Sequence, residues 1–580
     1  MSDQKNMLIA IALSMAILLS FQFFYEAPKI EKERERQEQL AKSQPQPNPS
    51  VAPSAADSPR VPGGSGAPPL APAAVTAAQR TDALKSVPRI SIRTPTLTGS
   101  ISLKGGRIDD VVLDQYREEV EPGSDNIRLM SPVDAPKSYY VEYGWVGAGS
   151  GVKLPTSDTV WSADRAVLTP NRPVTLSWDN GEGLVFENNF AIDDGYMITM
   201  TQRVRNSGRE TISVFPYGLV SRGGTPDTLG FYILHEGLLG VFDGTLQEVD
   251  YDDLQEEGKR QQATIGGWIG ITDKYWLAAL IPKQDAPVTY RFMHNIPDGD
   301  DRYQVDYLGA EAKVHANETF ETTSRLFVGA KEVKRLDEYG ERFGIANFDL
   351  AVDFGWFYFL TKPFFYAISW LNEWLGNFGL AILAFTVFVK ALFYPLANKS
   401  YRSMAKLREL TPKLHALRDQ YGDDKMRLNQ EMMALYKEEK VNPAAGCLPI
   451  LVQIPVFFAL YKVLFVNIEM RHAPFYGWIK DLSAMDPKSI FEGFGYFPWG
   501  APEFLTIGIW PILMGLTMWL QQRLNPQPTD PVQAKIFMFL PLFFTFLLGT
   551  FPAGLVIYWT WNNLLSIAQQ KLIMWRMGVK

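Results

Sequence analysis

Residues 384–400 read AFTVFVKALFYPLANKS and form the second half of a predicted membrane-spanning helix. A lysine, Lys390, interrupts the apolar run that begins near Phe378. A charge at the centre of a spanning helix costs ~3 kcal/mol on insertion scales and more than ~10 kcal/mol in simulations of a lone helix. Charges at such a depth usually face the interior of the protein or a water-filled cavity.

Lys390 has two interpretations. It lies roughly 9 Å from the cytosolic edge of its predicted span, so its long stem could carry the ammonium to water. Alternatively, it faces a cavity lined by polar residues of other predicted spans, namely Gln453, Thr550, Asn562 and Asn563. No carboxylate lies deep in any predicted span, so the cation would be unpaired and able to attract an acidic ligand. Lys462, near the outer end of its span, is predicted to snorkel.

Outward from this helix, five apolar segments and an N-terminal one give six predicted spans. The five, which form a core, lie at 378–396, 448–466, 504–520, 536–550 and 551–568. Lys and Arg are concentrated in the 398–442 loop, after the fourth span and in the C-terminal tail. Basic loops stay in the cytosol, so both termini are predicted to be cytosolic. The basic residues within 29–36 disagree with this orientation.

The N-terminal segment, residues 1–25, contains an uncharged run and is predicted to be an uncleaved membrane anchor. A cleaved signal peptide is the alternative, although its apolar region should be shorter and a small-residue cleavage site should follow. Residues 26–88 are mostly rich in Pro, Ala, Ser and Gly. They are predicted to be a disordered linker on the outer side.

Between 89 and 345 the pattern changes to short runs with alternating apolar residues, such as GYMITMTQRVRN, broken by Gly, Asn and Asp. This pattern predicts an antiparallel β domain of two packed sheets, closed by a helical stretch. Residues 354–376 have apolar residues at helical spacing, three tryptophans that can serve as interfacial rings, and two charges, Lys362 and Glu373, that interrupt the apolar pattern. They predict an amphipathic helix in the membrane surface; the alternative is an early start of the next span.

Residues 398–442 are predicted to form a cytosolic hairpin of two helices joined at YGDD. Apolar residues recur every three or four positions in both arms, and Pro412 is expected to kink or break the first arm. A solvated loop with self-pairing charges is the plain alternative. The functional interpretation is a basic arm that meets the ribosome, the nascent chain or lipid headgroups.

Composition excludes several classes of protein. The net charge of −7 sums an acidic middle and basic segments after Lys390 and at the C-terminus, so no nucleic-acid substrate is expected. The single cysteine, Cys447, excludes an intrachain disulfide. The chain has no phosphate-binding loop, no HExxH motif and five scattered histidines. We therefore predict no enzyme activity, no cofactor and no metal site.

Several stretches resemble the Oxa/Alb/YidC family of membrane protein insertases, in the form found in Gram-negative bacteria. They include VFVKALFYPL, SMAKLRELTPKL, APFYGWIKDLSAMDP and FPAGLVIYWTWNNLLSIAQQ, and they run nearly continuously over 354–576. The resemblance implies a periplasmic β-supersandwich and an α-helical membrane bundle, five spans of which enclose a hydrophilic groove. It also implies that a single cation in the groove draws in the polar segment of a substrate while the apolar segment slides into lipid.

The resemblance also carries site residues. Lys390 stands where the family usually has arginine, which keeps the charge but loses the bidentate fork. Thr550 stands where some relatives have tryptophan. Positions that match groove or substrate-contacting residues complete the predicted substrate-binding set of Lys390, Gln453, Thr550, Tyr558, Trp559 and Asn563.

The sequence thus predicts an insertase and assembly chaperone of the bacterial inner membrane. It would act on nascent membrane proteins, alone or with the Sec translocon, and its partners would include the ribosome and the phospholipid bilayer. A secondary transporter with a midplane binding site is the main alternative, but it would need ionisable partners in several spans and an internal repeat. In a third interpretation the β domain is a binding module. Deleting 90–320 separates these, because an insertase should keep much of its activity.

Overall fold

The computed structural model describes residues 80–135, 137–148, 151–228, 234–422, 424–439, 441, 448–489, 507–525 and 531–577. The predicted anchor at 1–25, the linker as far as residue 79, Cys447 and the start of the predicted span at 504–520 lie outside these ranges. Contacts divide the chain into two compact units. The described residues between Glu409 and Pro443 belong to the smaller unit.

Alternating burial builds the first part of the larger unit. In the strand Leu184–Ile192, every second side chain is buried and those between are partly exposed. Since successive side chains of a strand point to opposite faces, this period of two places one face on the core. The described strands are β1 Arg89–Arg93, β2 Leu97–Ser102, β3 Ile108–Arg117, β4 Asn126–Met130, β5 Tyr139–Gly147, β6 Ser162–Ala163, β7 Val167–Leu168, β8 Val174–Asp179, β9 Leu184–Ile192, β10 Met197–Asn206, β11 Ile212–Gly223, β12 Gly237–Phe242, β13 Thr245–Val249, β14 Lys259–Ile265, β15 Trp268–Thr272, β16 Trp276–Ile281, β17 Pro287–Asn295, β18 Arg302–Gly309, β19 Ala312–Val314 and β20 Thr319–Ala330.

These strands form two sheets that pack face to face. One sheet is 11-stranded, in the order β14-β17-β18-β11-β5-β3-β2-β1-β7 with β19 on β11 and β4 on β3; the other is 9-stranded, in the order β13-β12-β15-β16-β20-β10-β9-β8-β6. Aromatic rings meet between the sheets: Trp145 lies 6.1 Å from Phe186, and Phe242 lies 4.8 Å from Tyr290. The predicted sandwich is confirmed, and its pairing is antiparallel apart from β1 with β7.

A short helix, α1 (Arg80–Lys85), occupies the end of the stretch that the sequence predicts to be disordered linker. Arg80 is paired with Asp110 of β3, and Ala83 is buried. Composition does not reveal this helix, because the contacts that hold it depend on the sheet beneath it. A second short helix, α2 (Tyr251–Glu257), connects β13 and β14.

The sandwich is closed by α3 (Val333–Phe343). Val333, Leu336 and Tyr339 are buried at intervals of three residues, which places them on one face of the helix. The Tyr339 hydroxyl donates a hydrogen bond of 2.6 Å to Asp193. Gly344, in the left-handed conformation, ends the helix.

Beyond α3 the chain is helical. The helices are α4 Tyr358–Leu375, α5 Phe378–Leu392, α6 Tyr394–Tyr421, α7 Lys425–Glu438, α8 Leu448–Val466, α9 Ile509–Leu524, α10 Pro531–Leu547 and α11 Ala553–Met577. In the larger unit α11 contacts α5, α8 and α9, while α4 contacts α5 and α8. The C-terminal helix therefore connects the others.

The first core helix differs from the span predicted at 378–396. α5 ends at Leu392, and the chain bends by 68° into α6. Among the described residues, a single helix long and apolar enough to cross a membrane is not found, whereas α5 and α6 meet that criterion together as a bent pair. Pro395 explains the bend, because proline has no N–H to continue the helix and its ring clashes with the carbonyl four residues earlier, at Ala391, whereas proline is well tolerated in the first turn of a new helix.

Three further helices differ from their predicted bounds. α10 is Pro531–Leu547, where a span at 536–550 is predicted. α9 begins at Ile509 rather than at 504. α11 continues to Met577, past the end predicted at 568. The reason for the extension lies in the sequence, since no Gly or Pro occurs between Gly554 and Gly578 to stop the helix.

In the smaller unit, the second half of α6 and α7 form two helical arms. α6 continues through Pro412, which does not break the first arm. A proline removes one backbone hydrogen bond, but the turns on either side keep theirs. Asp424 caps α7 by accepting a hydrogen bond from the Arg427 amide. The arms are joined by an ion pair of 2.6 Å between Lys413 Nζ and Glu439 Oε1.

One hydrophobic core extends from the sandwich into the helices of the larger unit. Its buried members include Leu336 of α3, Phe365 of α4, Ile382 of α5, Leu460 of α8 and Ile557 of α11. Close packing of this kind fixes the position of the helices relative to the sheets.

Candidate functional site

Polar side chains follow one face of α11. Asn563, Ser566 and Gln570 are buried, and Trp559 is partly buried one turn earlier. Their spacing of i, i+4, i+7 and i+11 places them on the same side of the helix, and we call them the polar face of α11. Buried polar groups are nearly always hydrogen-bonded. Each of the three buried members has a partner on a neighbouring element.

Lys390 approaches this face from the end of α5. Its Nζ donates a hydrogen bond of 2.9 Å to Ser566 Oγ, and the Ser566 hydroxyl donates one of 2.8 Å to the carbonyl of Asn562. Tyr401 of α6 makes a polar contact with the same serine. Within the described ranges, no carboxylate forms an ion pair with Lys390. The ammonium therefore has a neutral partner on α11.

Asn563 and Gln570 bind α9. The Asn563 side-chain amide donates to Thr517 Oγ1 at 3.2 Å. The Gln570 amide donates to the carbonyl of Leu524 at 3.1 Å. These two contacts fix the rotation of α11 against α9, which sets the direction in which Ser566, between them, presents its hydroxyl.

Tyr558, Gln453 and Trp559 meet nearer the start of α11. Tyr558 is buried and makes a polar contact with Gln453 of α8. The Trp559 ring lies 4.7 Å from Phe457 of α8 and 5.7 Å from Phe544 of α10. This part of the site is a packed aromatic layer between three helices.

The predicted site residues therefore occupy successive layers along α11. Tyr558 and Ser566 are about 12 Å apart along the axis, at ~1.5 Å per residue, so the Gln453 layer and the Lys390 layer are about two helical turns apart. Thr550 departs from the prediction. It lies in a turn before α11, is exposed, and donates to the carbonyl of Leu547 at 3.3 Å. About 20 Å of helix axis separates the start of α11 from Ser566. Thr550, which lies before that start, is therefore apart from Lys390.

Sequence reasoning missed Ser566, Gln570, Thr517 and Tyr401. The first two carry a signal, because they continue the heptad-like spacing that begins at Trp559 and Asn563. Thr517 and Tyr401 carry none, since their roles depend on which helices pack together. Asn562, which the sequence grouped with Lys390, contributes its backbone carbonyl to Ser566, while its side-chain Oδ1 finds no hydrogen-bond partner among the described residues.

Lys462 differs from its prediction. Its Nζ lies 2.6 Å from Asp353 Oδ2, between the sandwich and α4, and both side chains are mostly buried. The prediction of a snorkelling lysine is wrong because the segment between the sandwich and α4 supplies a carboxylate at the end of α8. A span considered alone cannot show such a partner.

α4 has a charged side toward the sandwich and exposed aromatic residues. Lys362 Nζ is 2.8 Å from Asp337 of α3 and 2.7 Å from Asp349. Burial alone would lower the pKa of Lys362, but the hydrogen bonds to these carboxylates outweigh it and raise the pKa. Trp370 and Trp374 remain 64% and 76% exposed. The lysine that interrupts the apolar pattern is thus used to attach α4 to α3.

No group of three or more His, Cys, Asp or Glu side chains with the arrangement of a metal site occurs in the part of the chain that the structure describes.

Comparison with known proteins identifies similar chains over almost the whole length. The family model described as YidC periplasmic domain matches residues 89–367, and that described as 60Kd inner membrane protein matches 370–579. A protein of Methylobacterium nodulans named membrane protein insertase YidC is 51% identical over 589 residues, covering 100% of this chain and 96% of its own length. The protein of that name from Brucella suis is 48% identical over 595 residues, covering 100% and 97%. A solved structure of an active YidC insertase with its first transmembrane domain resolved has a TM-score of 0.34 and 17% identity, over 83% of this chain and 92% of that one.

Proposed function

This chain belongs to the YidC family of membrane protein insertases, and from that premise we propose that it receives the polar segment of each inner-membrane substrate beside Lys390. Membership of this family indicates an inner-membrane location, with the sandwich in the periplasm. It also indicates that the chain acts on membrane proteins and the bilayer.

The partner of Lys390 carries the proposal. The ammonium is hydrogen-bonded to Ser566 at 2.9 Å and forms no ion pair within the described residues. A positive charge that is held but not neutralised attracts an acidic segment. We propose that Lys390 lies in a hydrophilic groove open to the cytosol, with Gln453, Tyr558, Trp559 and Asn563 along its wall. Thr550 is proposed to contact substrate only at the opposite end, where it is exposed.

The energy for insertion comes from the substrate. Each large apolar residue gains ~0.3 to 0.6 kcal/mol on entering the bilayer as part of a helix, so a typical spanning segment offsets the cost of moving a short polar segment. A wet groove shortens the apolar distance that the polar segment crosses. This account needs no cofactor, no metal and no catalytic activity.

We propose six spans, with both termini in the cytosol. α8, with 19 residues, has a length of about 28 Å, close to the ~30 Å of a hydrocarbon core. The bend of 68° between α5 and α6 would place the basic start of α6 at the cytosolic surface. α4 would lie in the outer surface of the membrane, where exposed tryptophans are stable.

The wider partners are proposed from charge. The arms formed by α6 and α7, with the basic C-terminal tail, would meet the ribosome as it delivers nascent chains. Cooperation with the Sec translocon and a chaperone role in assembly are proposed from the resemblance to the insertase family. The secondary-transporter alternative is not favoured, since the relatives are named as insertases.

The experiment reconstitutes the purified full-length chain in liposomes and follows the insertion of a small membrane protein with an acidic translocated segment. Lys390→Glu should abolish insertion because it places like charges together, and Lys390→Arg, the matched control, should retain it within a few-fold. Insertion at the unmodified rate by a stable Lys390→Glu variant would remove the lysine from the mechanism. Crosslinking from positions 390 and 559 to stalled nascent chains gives an independent check, and capture of a soluble solute instead would favour a transporter.

A further inference from the structure

The Ser566 hydroxyl has a fixed direction. Its proton is donated to the Asn562 carbonyl, one turn earlier on α11, at 2.8 Å. A hydroxyl has one proton and two lone pairs, so the lone pairs are left for other donors. One of them accepts the hydrogen bond of 2.9 Å from Lys390 Nζ. Ser566 is 2% exposed, and this arrangement makes it a preset acceptor.

The partner is neutral, and this determines what the ammonium can still do. An ammonium has three N–H donors, of which Ser566 takes one. A carboxylate at this place would also hold the lysine, but it would cancel the charge. A hydroxyl holds the lysine and leaves the charge uncancelled.

The same serine connects both arms of the bent pair. Lys390 is at the end of α5, before the bend of 68°, and Tyr401 is on α6, after it. Both side chains reach Ser566. The depth of the ammonium along α11 is thus set by contacts from each side of the bend, and the neighbouring contacts of Asn563 and Gln570 with α9 hold α11 itself.

We propose that Ser566 is a positioning residue for insertion: a neutral hydroxyl that holds the Lys390 ammonium at a fixed depth and keeps its charge available to the acidic segment of the substrate. The inference rests on the proposed function, since it concerns how the same lysine is held. It predicts that changes at Ser566 alter the preference for acidic segments and do not slow every substrate alike.

The experiment uses the full-length chain in liposomes with two versions of one small substrate. One has an acidic translocated segment, and in the other the acidic residues are replaced by Asn or Gln. The variants are Ser566→Ala, Ser566→Asp and Ser566→Thr. Thr560→Ala is the matched control, because Thr560 is 3% exposed and makes the same bond to the carbonyl one turn earlier, Val556, at 2.8 Å, away from Lys390.

We expect Ser566→Ala to slow the acidic substrate about tenfold, the scale of one hydrogen bond to a charged group, and to leave the neutral substrate unchanged. Ser566→Asp should remove the preference for the acidic substrate, because the new carboxylate pairs with Lys390. Ser566→Thr, which keeps a hydroxyl, should retain the preference for the acidic substrate. Thr560→Ala should change the insertion rate of neither substrate. In the Lys390→Ala background, Ser566→Ala should have no further effect.

Equal slowing of both substrates by Ser566→Ala would overturn the inference, because it would show a purely structural role. The inference would also be overturned if Ser566→Ala and Ser566→Asp both kept the unmodified preference for the acidic substrate. In that case the proposed function would survive, provided that Lys390→Ala still slowed the acidic substrate. If Lys390→Ala has no effect, the proposed function itself fails. Should the alanine variant not accumulate in membranes, Ser566→Cys, a weaker acceptor of similar size, replaces it, with the same criteria.

Discussion

At the scale of the residue, two lysines donate to a neutral hydroxyl, one in the helical region and one at the edge of the sandwich. Lys390 meets a hydroxyl in the helical region. Lys331, at the end of β20, is 4% exposed, and its Nζ donates to Thr272 Oγ1 at 2.9 Å. Burial lowers the pKa of Lys331 from 10.5 to about 8, although the surrounding carboxylates, Asp273 first, oppose the shift. Because the pKa of Lys331 is lower in the folded chain than in the unfolded chain, this lysine makes the stability of the fold depend on pH.

The sign of that dependence follows from proton binding. Between pH 8 and 10.5 the folded chain binds fewer protons at Lys331 than the unfolded chain, so stability rises with pH across this window. The gain is at most ~3 kcal/mol, at 1.36 kcal/mol per pKa unit. Thermal unfolding of the full chain in detergent should show the midpoint rising from pH 8 to 10 relative to Lys331→Met. Lys313→Met, at an exposed position of β19, is the control and should follow the unmodified chain; parallel curves for all three would contradict the prediction.

Single residues also show how far the sequence can be followed. Lys390 was accessible to prediction because a charge in an apolar run is visible locally. Its partner lies 176 positions later, and only the packing of α5 on α11 brings the two together. The same reason accounts for the error at Lys462, whose carboxylate, Asp353, belongs to a different part of the fold.

At the scale of the element, α4 is distinguished by its exposed aromatic residues. Trp370 and Trp374 are largely exposed, while the charged groups of the helix are engaged: Lys362 with Asp337 and Asp349, and Glu373 with Lys334. An apolar surface left uncovered beside neutralised charges suits the interface between water and lipid.

Site-directed spin labelling tests that placement. In a Cys447→Ser background, a nitroxide at Trp374→Cys should be reached by oxygen more readily than by a water-soluble nickel complex when the chain is in bilayers. A label at Val160→Cys, which is 62% exposed on the sandwich, should show the reverse. If the label at Trp374→Cys were reached more readily by the nickel complex than by oxygen, as the label at Val160→Cys should be, α4 would be in water.

The elements were predicted better in type than in extent. The alternation of strands such as β9 and the apolar periods of α4 and α8 are local features, and the structure has those elements. α5 ends before the predicted boundary because Pro395 interrupts the helix, although the apolar residues continue past it. Pro412 does not end α6, although a break is one of the two outcomes expected there, because a proline inside a helix removes one backbone hydrogen bond and leaves the flanking turns intact.

At the scale of the whole molecule, the sandwich and the helices of the larger unit share one core. Three ion pairs add to this core by joining the segment 331–354 to α4 and α8. Their carboxylates are those of Asp337, Asp349 and Asp353. A buried pair that loses one partner costs ~3 kcal/mol or more. The strands, the last of which ends at Ala330, are therefore distinct from the segment 331–354, which pairs with α4 and α8.

Deletions should separate these parts. Removing 90–320 keeps the three carboxylates, so insertion in liposomes should persist at a lower thermal stability. Removing 90–354 leaves Lys362 and Lys462 without them and should abolish insertion or accumulation. The reverse ranking of the two deletions, at equal amounts in the membrane, would contradict this division.

The central claim is that the charge of Lys390 selects the segment that crosses the membrane, and a charge exchange tests it most directly. Insertion rates are measured in liposomes without a membrane potential, for the unmodified chain and Lys390→Glu, each with a substrate whose translocated segment is acidic or has those residues replaced by lysine. We predict that the unmodified chain prefers the acidic segment and that Lys390→Glu prefers the lysine segment. The same preference in both chains would contradict the account.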